Sequence, residues 1–334
     1  MPSTVLAAGM ATAIGSLPHR DAAAASALVL RCLPELPAAP QLPNRTVREG
    51  VLAQWLGGVD GVRVADDGVI ALDHRLDLDA AICTELHADR HAGLLAFVDA
   101  TSALPRPPAR VKAQVTGPLT LGVALARAGV PENEAFAFGA AVSRSWAAAV
   151  QRLFAARIPG VALVLFFDEP ALVLWRAEDP PFERELATDL LSGTLASSSC
   201  VTGVHVCGRG DLRLALDAGP DVVQVDVDVV VPEDALALSR FLDGDGWIAW
   251  GAVPTHGPIG EHPTPLWKAM LELWCELTRR GCDPVQLRTH ALVTPACGLA
   301  GHGPSQAERA MLLARELGNR VHDQAAATKL SIGA

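Results

Sequence analysis

The chain has 334 residues, of which 50% are hydrophobic and 19% are charged, so it can bury a large core and is neither disordered nor fibrous. Its net charge of −10 and its lack of any Lys or Arg run argue against a nucleic-acid partner. No apolar run is long enough for a membrane span and no basic residue precedes Arg20, so we expect no signal peptide and a cytoplasmic protein.

The first part of the chain predicts few regular elements. Residues 11–16 are predicted as a strand, and an alanine-rich helix follows from about Asp21, its N-cap, to Cys32. Residues 34–43 are predicted as a proline-rich loop. A soft second strand is expected near Val62, and a helical segment within residues 67–108.

From residue 111 onward, apolar strands and helices alternate. The predicted strands are 111–116, 161–167, 201–208, 221–225, 247–253 and 290–294. The predicted helices are 132–156, 182–199, 212–218, 233–242, 265–281 and 305–321. This alternation is typical of an α/β protein whose parallel sheet is covered by helices. Counting the strands near residues 11 and 62, it predicts a single-domain (β/α)8 TIM barrel over residues 1–334. A doubly wound sheet is the rival, but no G-x-G-x-x-G follows the first strand.

Polar and metal-binding residue types follow one predicted strand after another. In a barrel of this kind the carboxyl ends of the strands surround the active site. The residues at these positions are Ser16, Thr116, Asp168, Glu169, His205, Cys207, Asp226, His256 and Cys297. Chance would scatter such residues, so we expect a functional site at this end of the barrel. Glu169 has a structural alternative, as a cap of the following helix or a contact to the barrel wall.

The strand 201–208 carries an imidazole and a thiol at its end. His205 and Cys207 are two residues apart, so their side chains point to the same side of an extended strand. Nitrogen and sulfur are preferred zinc ligands; Cys297 adds a second sulfur and Asp226 a candidate oxygen. The odd number of cysteines, 7, does not suggest a disulfide framework. The alternative is a buried cysteine beside a hydrogen-bonded histidine, with Asp226 only orienting His205.

Several segments resemble the C-terminal catalytic barrel of the cobalamin-independent methionine synthases. The superfamily of that barrel also includes uroporphyrinogen decarboxylase and zinc-dependent coenzyme M methyltransferases. The segments are AIGSLP (13–18), VTGPLTL (115–121), DEPAL (168–172), HVCG (205–208), DVVQVD (221–226), GAVPTH (251–256) and TPACGL (294–299). They follow the order of the family and cover most of the chain, which resembles a short form with the catalytic barrel alone.

The resemblance implies a zinc-dependent methyltransferase that activates a thiol, homocysteine in the family, and produces methionine. The zinc ligands would be His205, Cys207 and Cys297. Asp226 stands where the family has a glutamate ligand. Because its side chain is shorter, the strand end or the metal would have to shift slightly, or a water molecule would fill the gap between them.

The resemblance also implies how the amino-acid substrate is held. Ile14, Gly15 and Ser16 match the segment that binds the substrate's carboxylate, and Asp168 matches the acid that binds its ammonium group. His256 falls where the family has a histidine that protonates the leaving group.

The methyl donor and the acceptor stay open at this point. The donor is a methylfolate, a methylated corrinoid protein or another methyl carrier, so a methyl-carrier protein is a candidate partner. A related zinc thiol methyltransferase with another acceptor, and a non-catalytic zinc-binding homologue, are alternatives. A decarboxylase of the uroporphyrinogen type is a further alternative. It needs arginines around the cavity, however, and the predicted strand ends carry no arginine cluster.

Overall fold

The structure is a computed structural model, and it describes residues 5–176 and 179–332. Its α-helices are α1 (Ala22–Cys32), α2 (Ala53–Leu56), α3 (Ala88–Ser102), α4 (Pro118–Arg127), α5 (Glu132–Arg157), α6 (Arg184–Leu195), α7 (Leu212–Asp217), α8 (Ala235–Asp243), α9 (Pro263–Arg279), α10 (Pro284–Thr289) and α11 (Pro304–Ile332). Its strands are β1 (Val62–Val64), β2 (Ile70–Leu72), β3 (Arg110–Thr116), β4 (Ala162–Asp168), β5 (Val201–Val206), β6 (Val222–Asp226), β7 (Trp247–Val253) and β8 (Ala291–Pro295). Short 3-10 helices cover Val47–Glu49, Pro170–Arg176 and Pro232–Asp234. In this part of the chain no helix combines the length and apolarity that crossing a bilayer requires.

Strands β3 to β8 form one parallel sheet, in the order in which they follow one another along the chain. The α/β class and the parallel sheet are therefore confirmed, as are the predicted strands from residue 111 onward to within a few residues. The predicted N-cap of α1 is also confirmed, because the Asp21 carboxylate accepts hydrogen bonds from the N–H groups of Ala23 and Ala24.

Two N-terminal segments lie against the two edges of this sheet. Ala11 forms a parallel bridge with β8, and Ala38 forms one with β3. The two segments meet each other through a bridge between Ser16 and Gln41. These are isolated bridges and not strands, so the named strands alone give a six-stranded parallel sheet and do not complete an eight-stranded barrel.

The prediction of a second barrel strand near Val62 is wrong. Strand β1 pairs antiparallel with β2 in a separate two-stranded sheet. The position beside β3 is taken instead by the proline-rich segment, where Lys112 N–H donates to Pro37 O at 2.9 Å and Ala39 N–H to Lys112 O at 2.8 Å. Proline fixes an extended backbone and keeps its carbonyl as an acceptor, so this segment can pair without forming a regular strand.

The two faces of the parallel sheet pack against different partners. One face and the helices share the larger hydrophobic core. The other face forms a second set of buried residues, here the inner cluster: Leu6, Met10, Leu36, Val164, Phe166, Val201, Val222, Trp247, Ala249 and Leu292. Because residues i and i+2 share a face, Asp168 follows Phe166 on the inner face of β4. The inner face thus changes from apolar to polar towards the carboxyl ends of the strands.

Candidate metal centre

Three of the predicted zinc ligands meet at the carboxyl ends of β5 and β8. His205 lies on β5, Cys207 directly follows that strand, and Cys297 lies two residues beyond β8. One ligand atom from each residue lies within 4.8 Å of the others. The two sulfurs are 3.3 Å apart, and the Cys297 Sγ is 3.8 Å from the His205 Nε2. The fold therefore brings Cys297 next to His205 and Cys207, which precede it in the chain by 92 and 90 positions.

Two of the three separations are close to those expected around a zinc ion, and the third is within 4.8 Å. Zinc–sulfur bonds of about 2.3 Å and zinc–nitrogen bonds of about 2.0 Å, at a tetrahedral angle, give edges of roughly 3.8 Å and 3.5 Å. The observed separations of 3.3 Å and 3.8 Å differ from these edges by less than about half an ångström. A small side-chain adjustment would let all three atoms bind one ion.

Gln224 on β6 orients the histidine. The Nδ1 of His205 donates a hydrogen bond to the Gln224 Oε1. The Gln224 amide nitrogen in turn donates to the Thr294 Oγ1 and to the Ala296 O, both at 3.2 Å. These two acceptors fix the amide so that its oxygen faces the imidazole, and the Nε2 of His205 is directed at Cys297. Gln224 is not among the predicted site residues, although its position two residues before Asp226 in an apolar strand is a signal for it.

The two thiols differ in charge. The hydrogen bond from Cys207 holds the pKa of Cys297 well below its usual range, against the effect of burial, and His205 lowers it further. The same hydrogen bond, together with burial, raises the pKa of Cys207. Burial alone would lower the pKa of His205, but its hydrogen bond with Cys297 raises it. Cys297 therefore favours the thiolate, which is the form that binds metal ions.

Asp226 lies at the end of β6 and is buried, but its carboxylate is not in the three-residue group found among the described residues. Its Oδ1 accepts a hydrogen bond from the Asp228 N–H at 2.9 Å. Burial raises the pKa of Asp226, and the charge of His256 opposes this shift. His256 is exposed in the loop after β7. The role of Asp226 as the fourth ligand stays a prediction, and so does the role of His256 as an acid.

The segment of Ile14, Gly15 and Ser16 lies directly beside the Cys297 loop. Ser16 O accepts a hydrogen bond from the Leu299 N–H at 2.8 Å. A Cβ atom on Gly298 would lie 1.9 Å from the Ser16 Oγ, so only glycine allows this approach. The predicted carboxylate-binding segment and the predicted metal site are therefore neighbours.

Asp168 lies beside His205 in the register of β4 and β5, and its side chain is buried. Its Oδ1 has no hydrogen-bond partner among the residues that the structure describes. Burial raises the pKa of Asp168, while the positive charges of His205 and Lys112 lower it. A buried carboxylate oxygen without a donor is a suitable acceptor for a cationic ligand group.

Of the two structural alternatives for Glu169, the cap of the following helix is wrong. Its carboxylate instead accepts hydrogen bonds at the start of the preceding helix α4, from Leu119 N–H at 2.9 Å and from Thr120 N–H at 2.8 Å. The side chain is fully buried there. Glu169 is therefore a structural residue beside Asp168.

No protein-family model matches the sequence, and no curated protein matches it.

Proposed function

We propose that this protein is a zinc-dependent enzyme that transfers a methyl group to the thiol of homocysteine and so forms methionine. The observation that carries the proposal is the meeting of His205, Cys207 and Cys297, whose ligand atoms lie within 4.8 Å of one another. One nitrogen and two sulfurs suit zinc, and three protein ligands leave a coordination position for Asp226 or for an incoming substrate thiol. Structural zinc sites usually take their ligands from close-spaced loop pairs, whereas the three candidate ligands here lie at the ends of two separate strands.

We also infer that the six-stranded sheet belongs to a closed (β/α)8 barrel. The bridges of Ala11 to β8, of Ala38 to β3 and of Ser16 to Gln41 support this closure. In such a barrel the candidate metal centre lies at the end that carries active sites.

Each part of the site has a task in this reaction. When bound, zinc would ionise the substrate thiol, which is a weak nucleophile while it is protonated. Gln224 holds the imidazole of His205 so that its Nε2 faces the metal position. The free Oδ1 of Asp168 would accept the substrate's ammonium group, and the segment from Ile14 to Ser16 would bind its carboxylate.

In the transfer itself the substrate sulfur forms a bond to the methyl carbon, and the bond from that carbon to the donor breaks. Where the donor is an amine such as a methylfolate, the departing nitrogen needs a proton, which His256 would deliver. The exposure of His256 supports this task, because a donor arriving from solvent can reach it. A methylated corrinoid protein or another carrier would not need that proton, so the proposal holds for each of these donors.

The test compares zinc binding and methyl transfer in two single-cysteine variants. The wild-type protein is expected to hold about one zinc ion per chain and to methylate homocysteine from one of the candidate donors. Cys297→Ser is expected to weaken zinc binding by at least about tenfold, because an alcohol replaces a thiolate ligand. Cys275→Ser is the matched control, since Cys275 is exposed on α9. Equal zinc content in both variants, or a zinc-loaded protein inactive with every donor, would contradict the proposal.

A further inference from the structure

We propose that Lys112 is the positioning residue of the carboxylate-binding segment formed by Ile14, Gly15 and Ser16, and that its ammonium group prepares this segment for an anion. The inference rests on the proposed function, because it assigns a device for recognising the carboxylate of the thiol substrate. The resemblance described above gives Lys112 no role.

Lys112 is buried in the interior, with 1% of the residue exposed. Its Nζ donates a hydrogen bond to the backbone O of Ile14 at 2.6 Å and another to the Gln114 Oε1 at 3.1 Å. The ammonium group also lies over the ring of Phe166, 4.7 Å from the centroid. Its contacts thus connect β3 directly to the segment that begins at Ile14.

A charge at this position does not serve the packing of the core. Phe166 belongs to the apolar inner cluster, where a buried ammonium carries a desolvation penalty that an aliphatic side chain would avoid. Burial lowers the pKa of Lys112 to about 8, and the charge of Asp168 opposes this shift. Lys112 therefore stays mostly protonated at neutral pH. A charged residue kept in an apolar environment is a candidate for a functional role.

The segment from Ile14 to Ser16 needs external support because it is not part of a strand. Gly15 has a φ of +139°, and a Cβ atom there would lie 2.2 Å from the Gln114 Nε2. No acceptor in residues 5–176 or 179–332 takes the backbone N–H of Gly15 or of Ser16. Two unused N–H donors on a backbone that Lys112 and Gln114 hold in place are what an anion site requires.

The experiment compares two thiols that differ only in the carboxylate. Homocysteine and 3-aminopropane-1-thiol are titrated calorimetrically into the zinc-loaded full chain, as wild type, Lys112→Met and Lys268→Met. Lys268 is the matched control, since it is exposed on α9. We expect the wild type to prefer homocysteine by at least about tenfold, the effect of one charge-assisted hydrogen bond. Lys112→Met should lose most of that preference, while its affinity for the carboxylate-free thiol stays within about twofold of the wild-type affinity. Both affinities of Lys268→Met should also stay within about twofold of the wild-type affinities.

The outcomes separate the inference from the function on which it rests. If the wild type binds neither thiol, the proposed function is wrong and the inference falls with it. If the wild type binds both thiols equally, or if Lys112→Met weakens both by the same factor, the function stands and the inference is wrong. Lys112→Gln replaces Lys112→Met if thermal melting shows the latter to be unfolded. The wild-type comparison tests the carboxylate preference without any variant.

Discussion

His91 is enclosed by aromatic rings in the core beside α2 and α5. Its ring centroid lies 5.5 Å from that of Trp55 and 5.0 Å from that of Trp146, and none of the residue is exposed. Its Nδ1 accepts a hydrogen bond from the His87 N–H, and its Nε2 has no hydrogen-bond partner in the described part of the chain. Burial lowers the pKa of His91 to about 4, so the imidazole is neutral at neutral pH.

This histidine should make the protein sensitive to acid. Its pKa in the folded state, about 4, is below the ordinary histidine value of 6.5, so the unfolded chain binds the proton more tightly. The stability that the neutral imidazole of His91 contributes is fully present above pH 6.5 and is lost as the pH falls towards 4. Between pH 7 and pH 5 we expect the free energy of unfolding to fall by about 2 kcal/mol through His91 alone.

Urea denaturation at the two pH values measures this loss. In His91→Phe the difference between pH 7 and pH 5 should shrink by about 2 kcal/mol relative to wild type. In His262→Phe, the control that removes an exposed histidine, it should change by less than about 0.5 kcal/mol. An unchanged pH dependence in His91→Phe would show that His91 is protonated as easily in the folded chain as in the unfolded one.

The site residues differ in how far the sequence could predict them. His205 and Cys207 could be paired because strand alternation puts residues i and i+2 on one face. Cys297 could be added only through its place after a strand and through the family resemblance, since no local pattern encodes a contact across 90 positions. For Gln224 the only signal is its place two residues before Asp226, on the same face of an apolar strand, and its role follows only from its hydrogen bonds.

Helix α4 begins where a buried carboxylate is held against its first turn. A Cβ atom on Gly117 would lie 2.3 Å from the Glu169 Oε1, so glycine leaves the room that the carboxylate fills. The N–H groups of Leu119 and Thr120 and the hydroxyl of Thr120 donate to Glu169. Burial raises the pKa of Glu169 to about 7, and these donors oppose that shift because they favour the anion. The carboxylate satisfies N–H groups that a helix cannot pair internally.

Replacing this carboxylate should destabilise the fold. At pH 8, above the pKa of Glu169, we expect Glu169→Gln to lower the free energy of unfolding by about 2 kcal/mol, because the amide nitrogen would face N–H donors. Glu272→Gln on the exposed face of α9 is the control and should change it by less than about 0.5 kcal/mol. Chemical denaturation of both variants measures the difference, and equal values would show that Glu169 does not stabilise α4.

The elements before residue 110 show where propensity misleads. The β-branched residues of β1 favour an extended chain, and β1 is indeed a strand, but propensity does not decide which sheet a strand joins. The prolines of residues 34–43 indicated a loop, yet Pro37 O and Ala39 N–H bond to β3. The later strands were predicted well because long apolar segments between helices have one stable place, the interior of a parallel sheet.

The parallel sheet should open more easily at its two edges, where the N-terminal segments lie, than at its centre. Strand β6 has a neighbouring strand on each side. The segments around residues 11–16 and 38–41 are held by isolated bridges, with few hydrogen bonds such as that from Thr12 N–H to Val293 O. Segments with sparse hydrogen bonding open locally at lower free energy. In hydrogen–deuterium exchange, the amides of Thr12, Ala39 and Gln41 should exchange at least about tenfold faster than those of β6. Equal protection would mean that both segments open only with the whole sheet.

The order in which a ribosome releases the chain bears on how the candidate metal centre would form. His205 and Cys207 emerge well before Cys297, and Ser16 has to wait for Leu299 to donate its backbone hydrogen bond. A nascent polypeptide that has been translated only as far as β7 therefore offers one imidazole and one thiol of the proposed ligand set, a weak chelate. If the proposed zinc binds, its capture would come after the last strand has docked, so that metallation would report on a finished protein.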